Sequence, residues 1–201
     1  MKTKSFYLVA AASLLGWSIS NASVTSVTDA GWTGGIYCYS PMTFTNGDVS
    51  MGATETGDGK AWATINTTGP FDPTLTIDNA VDNDTAFVWT EYIVDVSLNA
   101  DFTIQSAAVT APASDWVANI TQPGAPVAGI YTGVIDYVSG TPVQIAPGPN
   151  SEFDFNYQIM FSGLSSYSLS ETVTPVPEPA TLSLLLVGGL LLGGRAMPKR
   201  R

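Results

Sequence analysis

Histidine is absent from all 201 residues. Its absence removes the usual proton shuttle near neutral pH and the commonest transition-metal ligand, so Ser-His-Asp and Cys-His catalytic sites are excluded. Cys38 is the one cysteine, so no internal disulfide can form. Flanked by Tyr37 and Tyr39, it reads as a buried small hydrophobe rather than a reactive thiol. Positive charge is almost as scarce. Of the seven basic residues, Lys2, Lys4, Arg195, Lys199, Arg200 and Arg201 lie near the two ends. Residues 23–175 hold only Lys60 against sixteen acids, from Asp29 to Glu171, a balance of −15. A surface that negative repels nucleic-acid phosphates and anionic lipid headgroups. It suits divalent cations, cationic partners or simple solubility. Helical patterning is missing as well. No window of the middle region sets apolar residues at three-four spacing behind a capping residue.

What is present divides into two special ends and a middle. Residues 1–22 have the three parts of a secretory signal, which is expected to be helical. Lys2 and Lys4 make the positive start, and 6–17 is apolar and uncharged. Ser20-Asn21-Ala22 places small residues at the last and third-last positions before a cut between Ala22 and Ser23. That order favours a cleaved signal over an ordinary buried helix.

Residues 23–175 make one domain of common size. Its periodicity is two. Phe153, Phe155, Tyr157, Ile159 and Phe161 alternate with Glu152, Asp154, Asn156, Gln158 and the less polar Met160, as in a half-buried antiparallel strand. Further strands are expected over 24–28, 36–44, 61–66, 75–77, 86–99 and 130–138. Shorter ones are expected around Trp116–Ile120, Val143–Ile145 and Tyr167–Val173. Asn46-Gly47-Asp48, Gly57-Asp58-Gly59, Pro123-Gly124 and Pro147-Gly148-Pro149-Asn150 separate these runs as turns. Eight to eleven short strands at this spacing imply an all-β fold. The expectation is a single antiparallel β-sandwich, jelly-roll-like or immunoglobulin-like.

Residues 172–179 are polar and punctuated by proline, so they are expected to be extended and accessible rather than packed. Residues 180–194 are all apolar or small, and Arg195, Lys199, Arg200 and Arg201 close the chain. As a helix this apolar segment spans only about 22 Å, short of a hydrocarbon core of about 30 Å. That length suits a transient, processed segment whose basic end stays cytoplasmic and stops export. The stretch Val176-Pro177-Glu178-Pro179-Ala180-Thr181-Leu182, the apolar run and the basic end together resemble the PEP-CTERM sorting signal of Gram-negative bacteria. The resemblance covers residues 176–201 and implies processing by an exosortase, a membrane-embedded cysteine protease-transpeptidase. It implies that Pro177, Glu178 and Pro179 are the recognised residues. It also implies an association with exopolysaccharide and biofilm. A plain uncut tail anchor is the alternative.

Within the middle domain, Asp78, Asp82, Asn83 and Asp84 crowd oxygen ligands as calcium requires, in what reads as a loop. The spacing matches no twelve-residue calcium loop, and a plain solvated acidic loop is the alternative. Asp48, Glu55 and Asp58 among glycines form a weaker cluster of the same kind. A glycosidase would need two carboxylates and no histidine, yet nothing singles out one pair among sixteen. Trp32, Trp62, Trp89 and Trp116 could stack on sugar, or could be core. Asn66-Thr67-Thr68, Asn83-Asp84-Thr85 and Asn119-Ile120-Thr121 match the glycosylation triplet, as chance allows in a chain rich in Asn and Thr.

These observations lead to an exported, non-enzymatic surface or extracellular-matrix protein without a cofactor. Signal peptidase and an exosortase are its expected processing partners, exopolysaccharide its expected surroundings, and the inner membrane its transient anchor. A carbohydrate-binding module, with or without calcium, is the first rival. A carboxylate-dependent glycosidase is the second.

Overall fold

The computed structural model describes residues 22–69, 73–111, 115–145 and 151–178. The signal segment before Ala22, the tag residue Pro179, the apolar run 180–194 and the basic residues Arg195, Lys199, Arg200 and Arg201 lie outside the described residues.

The described chain is all-β, in nine strands. These are β1 (Val24–Thr45), β2 (Asp48–Thr67), β3 (Thr74–Asn83), β4 (Trp89–Leu98), β5 (Phe102–Ala111), β6 (Val117–Thr121), β7 (Tyr131–Val143), β8 (Glu152–Phe161) and β9 (Ser166–Pro177). They form one sheet in the order β5-β8-β3-β2-β9-β4-β7-β6, with β1 paired to β2.

The sheet is mixed, which corrects the antiparallel expectation. β2 and β3 run parallel, from Asp48 opposite Thr76 to Glu55 opposite Asn83. The cause is a change of partner along β2. Its first half pairs with β3, and from Gly59 onward it pairs antiparallel with β9. β1 follows β2 along both halves. The changeover needs close backbone approach: a Cβ on Gly35 would meet the Gly57 backbone at 2.6 Å, and one on Gly59 would overlap Ile36. The β1–β2 ribbon coils so far that its two ends, at Ala22–Val24 and Asn46–Asp48, line one polar opening of about 600 Å³.

The sheet is nearly closed. Between β5 and β6 the Gln122 side chain takes the place of a strand. Its amide nitrogen donates to the Ile104 carbonyl at 2.7 Å, and its oxygen accepts from the Ile104 N–H at 2.9 Å. Inward side chains from successive positions of the strands fill the interior. Trp89, Tyr92, Tyr137, Phe153 and Phe155 are buried and stack with ring centroids 4.8 to 6.4 Å apart. Each such side chain contributes about 1.5–3 kcal/mol by leaving water.

Several boundaries differ from the sequence reading. β1 is one strand rather than two, broken by five register shifts. Such bulges blunt a free edge that would otherwise template pairing. Because this ribbon lies outermost, Tyr37 and Tyr39 are exposed, and Cys38 is only partly covered, its thiol donating to the Ser40 carbonyl. β5 is not legible in the sequence, because a register shift between Ile104 and Ser106 ends its alternation. Residues 172–177 are extended as expected, but 172–176 are packed, with Val173 and Pro175 buried, since β9 pairs with β4 as far as Pro177 opposite Trp89.

Candidate functional site

The most perturbed carboxyl groups lie inside the sheet. Alternation aims Glu55 of β2 and Glu171 of β9 inward, where they are 0% and 4% exposed. Tyr92 donates to Glu55 Oε1 at 2.9 Å. Tyr157 donates to Glu171 Oε2 at 3.2 Å, and the Asn79 amide donates to Oε1 at 2.9 Å. Glu55 Oε2 and Asn79 Oδ1 have no partner among the described residues. Burial pushes Glu55 up to about 8, with Glu171 and Asp58 adding repulsion against the Tyr92 hydrogen bond. Burial also pushes Glu171 up to about 7, opposed by its bonds from Tyr157 and Asn79. No basic side chain among the described residues offsets this burial, so both carboxyls are held toward the neutral form. The cavity beside Glu171 and Asn79 measures about 10 Å³, room for about one water. It cannot admit a sugar ring, so this pair is sealed from any polymeric substrate.

The acids of the candidate calcium loop take a different position from the one expected. Asp78, Asp82 and Asn83 stand on β3, not in a loop. Strand alternation separates them: Asn83 is buried, with its amide donating to the Phe87 and Val143 carbonyls, while Asp78 and Asp82 face out. Asp82 lies directly opposite Glu152, and Asp154 lies two residues further along β8, opposite Ala80. Burial, then Glu152 and Asp82, raises Asp154 to about 6. Burial, then Asp48, raises Asp78. No group of three or more metal-ligating side chains converges among the described residues. Asp48 and Asp58 are exposed, whereas Glu55 points inward.

The outer face on the other side of the changeover in β2 is different. Trp62, Ser170, Ser97 and Thr132 lie directly opposite one another across β2, β9, β4 and β7. Lys60 and Thr172 form the next row, with Asp95 beyond them. Lys60 Nζ sits 5.4 Å from the Trp62 ring centroid. Ser97 and Thr132 share a hydrogen bond at 2.8 Å. A groove of about 270 Å³ runs here, lined by Lys60, Trp62, Ser97, Ile130 and Ser168–Ser170. Further along the same face acids return, and Glu91 is raised by burial and then by Asp136.

The four described tryptophans therefore separate. Trp89 and Trp116 are core, and their indole N–H groups donate to Thr85 Oγ1 and the Thr141 carbonyl. Trp32 donates to Asp29. Trp62 alone among them has no partner for its N–H among the described residues. Of the glycosylation triplets, Asn83 is buried, Asn66 donates to Ser26 Oγ, and Asn119 stands on the outer face of β6.

At the predicted ends, the Ser23 N–H donates to Thr68 Oγ1 beside the start of β1. Pro177 and Glu178 are exposed at the end of β9, and the Glu178 N–H donates to the Val88 carbonyl at 3.1 Å. No helix among the described residues is long and apolar enough to cross a membrane. The chain matches no protein-family model, no curated protein and no solved structure.

Proposed function

We propose that this chain is an exported, non-enzymatic surface or extracellular-matrix protein of a Gram-negative bacterium, cut at both ends. In this reading signal peptidase cuts between Ala22 and Ser23, and an exosortase acts at Pro177-Glu178-Pro179. The basic residues Arg195, Lys199, Arg200 and Arg201 hold the precursor in the inner membrane. The mature domain then resides at the outer surface or in the exopolysaccharide layer. We read the nearly closed sheet as a β-sandwich, jelly-roll-like or immunoglobulin-like, since β4 and β7 face β8 across one aromatic core. The observation that carries the non-enzymatic reading is the sealing of Glu55 and Glu171: the acids most suited to acid-base work have no cleft. The localisation rests on the two ends of the sequence.

Intact-mass spectrometry of protein recovered from the cell surface tests this. The expected species begins near Ser23 and ends close to residues 177–179. A surface peptide containing Lys199 would count against processing. Glu178→Ala removes the one charge between Glu171 and Arg195. The expected product is an uncut precursor retained in the membrane. Wild-type trimming of this variant would sink the role given to Glu178.

A further inference from the structure

We propose that the outer face around Trp62 is a binding surface for a neutral polysaccharide chain, an inference that rests on the matrix reading and names its ligand class. Three properties converge there. The first is a platform. Trp62 is the one described tryptophan whose indole N–H has no partner among the described residues, and it lies half-buried on the outer side of β2 beside the exposed Ile130. An aromatic ring offers a sugar its apolar face and, through its N–H, one hydrogen bond.

The second is a row of hydroxyls. Ser170, Ser97 and Thr132 extend from Trp62 straight across three neighbouring strands. At about 4.8 Å per strand the row is about 14 Å long, the reach of a short oligosaccharide. The Ser170 and Ser168 hydroxyls make no hydrogen bond among the described residues, so they are available to a ligand. A regular strand array holds them in place, which limits the ordering a ligand must impose.

The third is charge. The row carries none, and Lys60 is the one base beside it. The domain as a whole stands at −15, so its field repels an anionic polymer and leaves a neutral one indifferent. Lys60 and Trp62 are both half-buried, and Lys60 Nζ sits 5.4 Å from the ring centroid, so a sugar ring stacking on Trp62 must displace this one cation–π contact.

The test is affinity electrophoresis of the exported protein recovered from the cell surface. Native gels would contain hydroxyethylcellulose, galactomannan or dextran, with alginate as the anionic polymer. The expected result is retardation by at least one neutral polymer and none by alginate. Trp62→Ala should weaken retardation roughly tenfold or more, the scale of one lost stacking contact. Ser170→Ala should weaken it about fivefold, the scale of one hydrogen bond. Trp62→Phe should keep part of the binding, and Lys60→Ala should keep all of it or strengthen it. No retardation by any of the three neutral polymers overturns the proposal, as does equal retardation of wild type and a folded Trp62→Ala. Retardation by alginate that Lys60→Ala abolishes overturns it too. The two readings fail separately. Surface-located protein that ignores all three polymers sinks the saccharide face alone. Protein that never leaves the cytoplasm sinks export, whatever it binds.

Discussion

The two outer faces of this sheet are built from the same alternating pattern and differ in where they place their charge. On β3 and β8, with the first half of β2, the outward positions hold Asp48, Asp78, Asp82, Glu152 and Asp154. On the second half of β2, with β9, β4 and β7, they hold an uncharged row of Trp62, Ser170, Ser97 and Thr132, with Lys60 beside it and Asp95, Glu91 and Asp136 further along. Both halves of the pattern read simply as polar. Register makes the difference. It places Asp82 against Glu152, so like charges meet directly, which is destabilising in a sheet. It places Trp62 against serines, so nothing on that row repels a ligand or itself. One strand, β2, serves both faces because it changes partners between Glu55 and Gly59.

The largest expected effect concerns the core that lies behind both faces. Glu55 and Glu171 titrate near 8 and 7 when folded, above their ordinary value of 4.5. The folded state therefore binds more protons than the unfolded chain between about pH 4.5 and pH 8. Stability is greatest at the acid side of that window and falls as pH rises through it. Each tenfold difference in proton affinity between the folded and unfolded states corresponds to about 1.4 kcal/mol, so a few kcal/mol are at stake. Thermal melts from pH 5 to pH 9 should fall steadily, and Glu55→Gln should flatten much of the slope while matching wild type near pH 5. A melting temperature that rises with pH would contradict the burial of these acids.

A smaller effect should separate the faces themselves. Asp82→Asn with Glu152→Gln removes a directly opposed pair, worth about 0.2–1 kcal/mol, so a gain of a few degrees is expected at pH 7. Retardation by neutral polymer should not change. Loss of binding in this variant would erase the distinction between the faces, since both would then serve the ligand. The smallest effect is ionic. Sodium chloride and calcium chloride at equal ionic strength should raise the melting temperature equally, by screening alone. A larger shift in calcium that vanishes in Asp82→Asn, Asp84→Asn would show that the acidic face assembles a cation site after all.

The alternation of 152–162 is legible because every second residue of β8 is aromatic or aliphatic, and the strand forms there as expected. β3 extends well past the expected 75–77. Its inward positions continue with Asn79 and Asn83, polar residues that are buried because their amides donate to acceptors on strands far away in sequence. Glu55 leaves no local trace, because a glutamate in a polar-looking glycine-rich stretch reads as exposed, whereas Glu171 shares the inward parity of Tyr167, Leu169 and Val173. An inward glutamate between Ala53 and Gly57 is a signal only once strand parity is known. Trp62 is one of four equivalent candidates in the sequence. Its distinction, an N–H with no partner among the described residues, emerges only when the partners of Trp32, Trp89 and Trp116 are in place.

By itself the sequence determined the all-β class, the acidic balance and the exclusion of histidine chemistry. These depend on composition and on side-chain parity along single strands, which are local properties. The tertiary structure alone decided that β2 and β3 run parallel, that two acids are sealed in the core, and that one face is acidic while the other carries a row of hydroxyls beside a tryptophan. Those outcomes depend on which strands become neighbours and at what register. A shift of one residue reverses every side chain, and the choice is made by cooperative burial across the whole sheet.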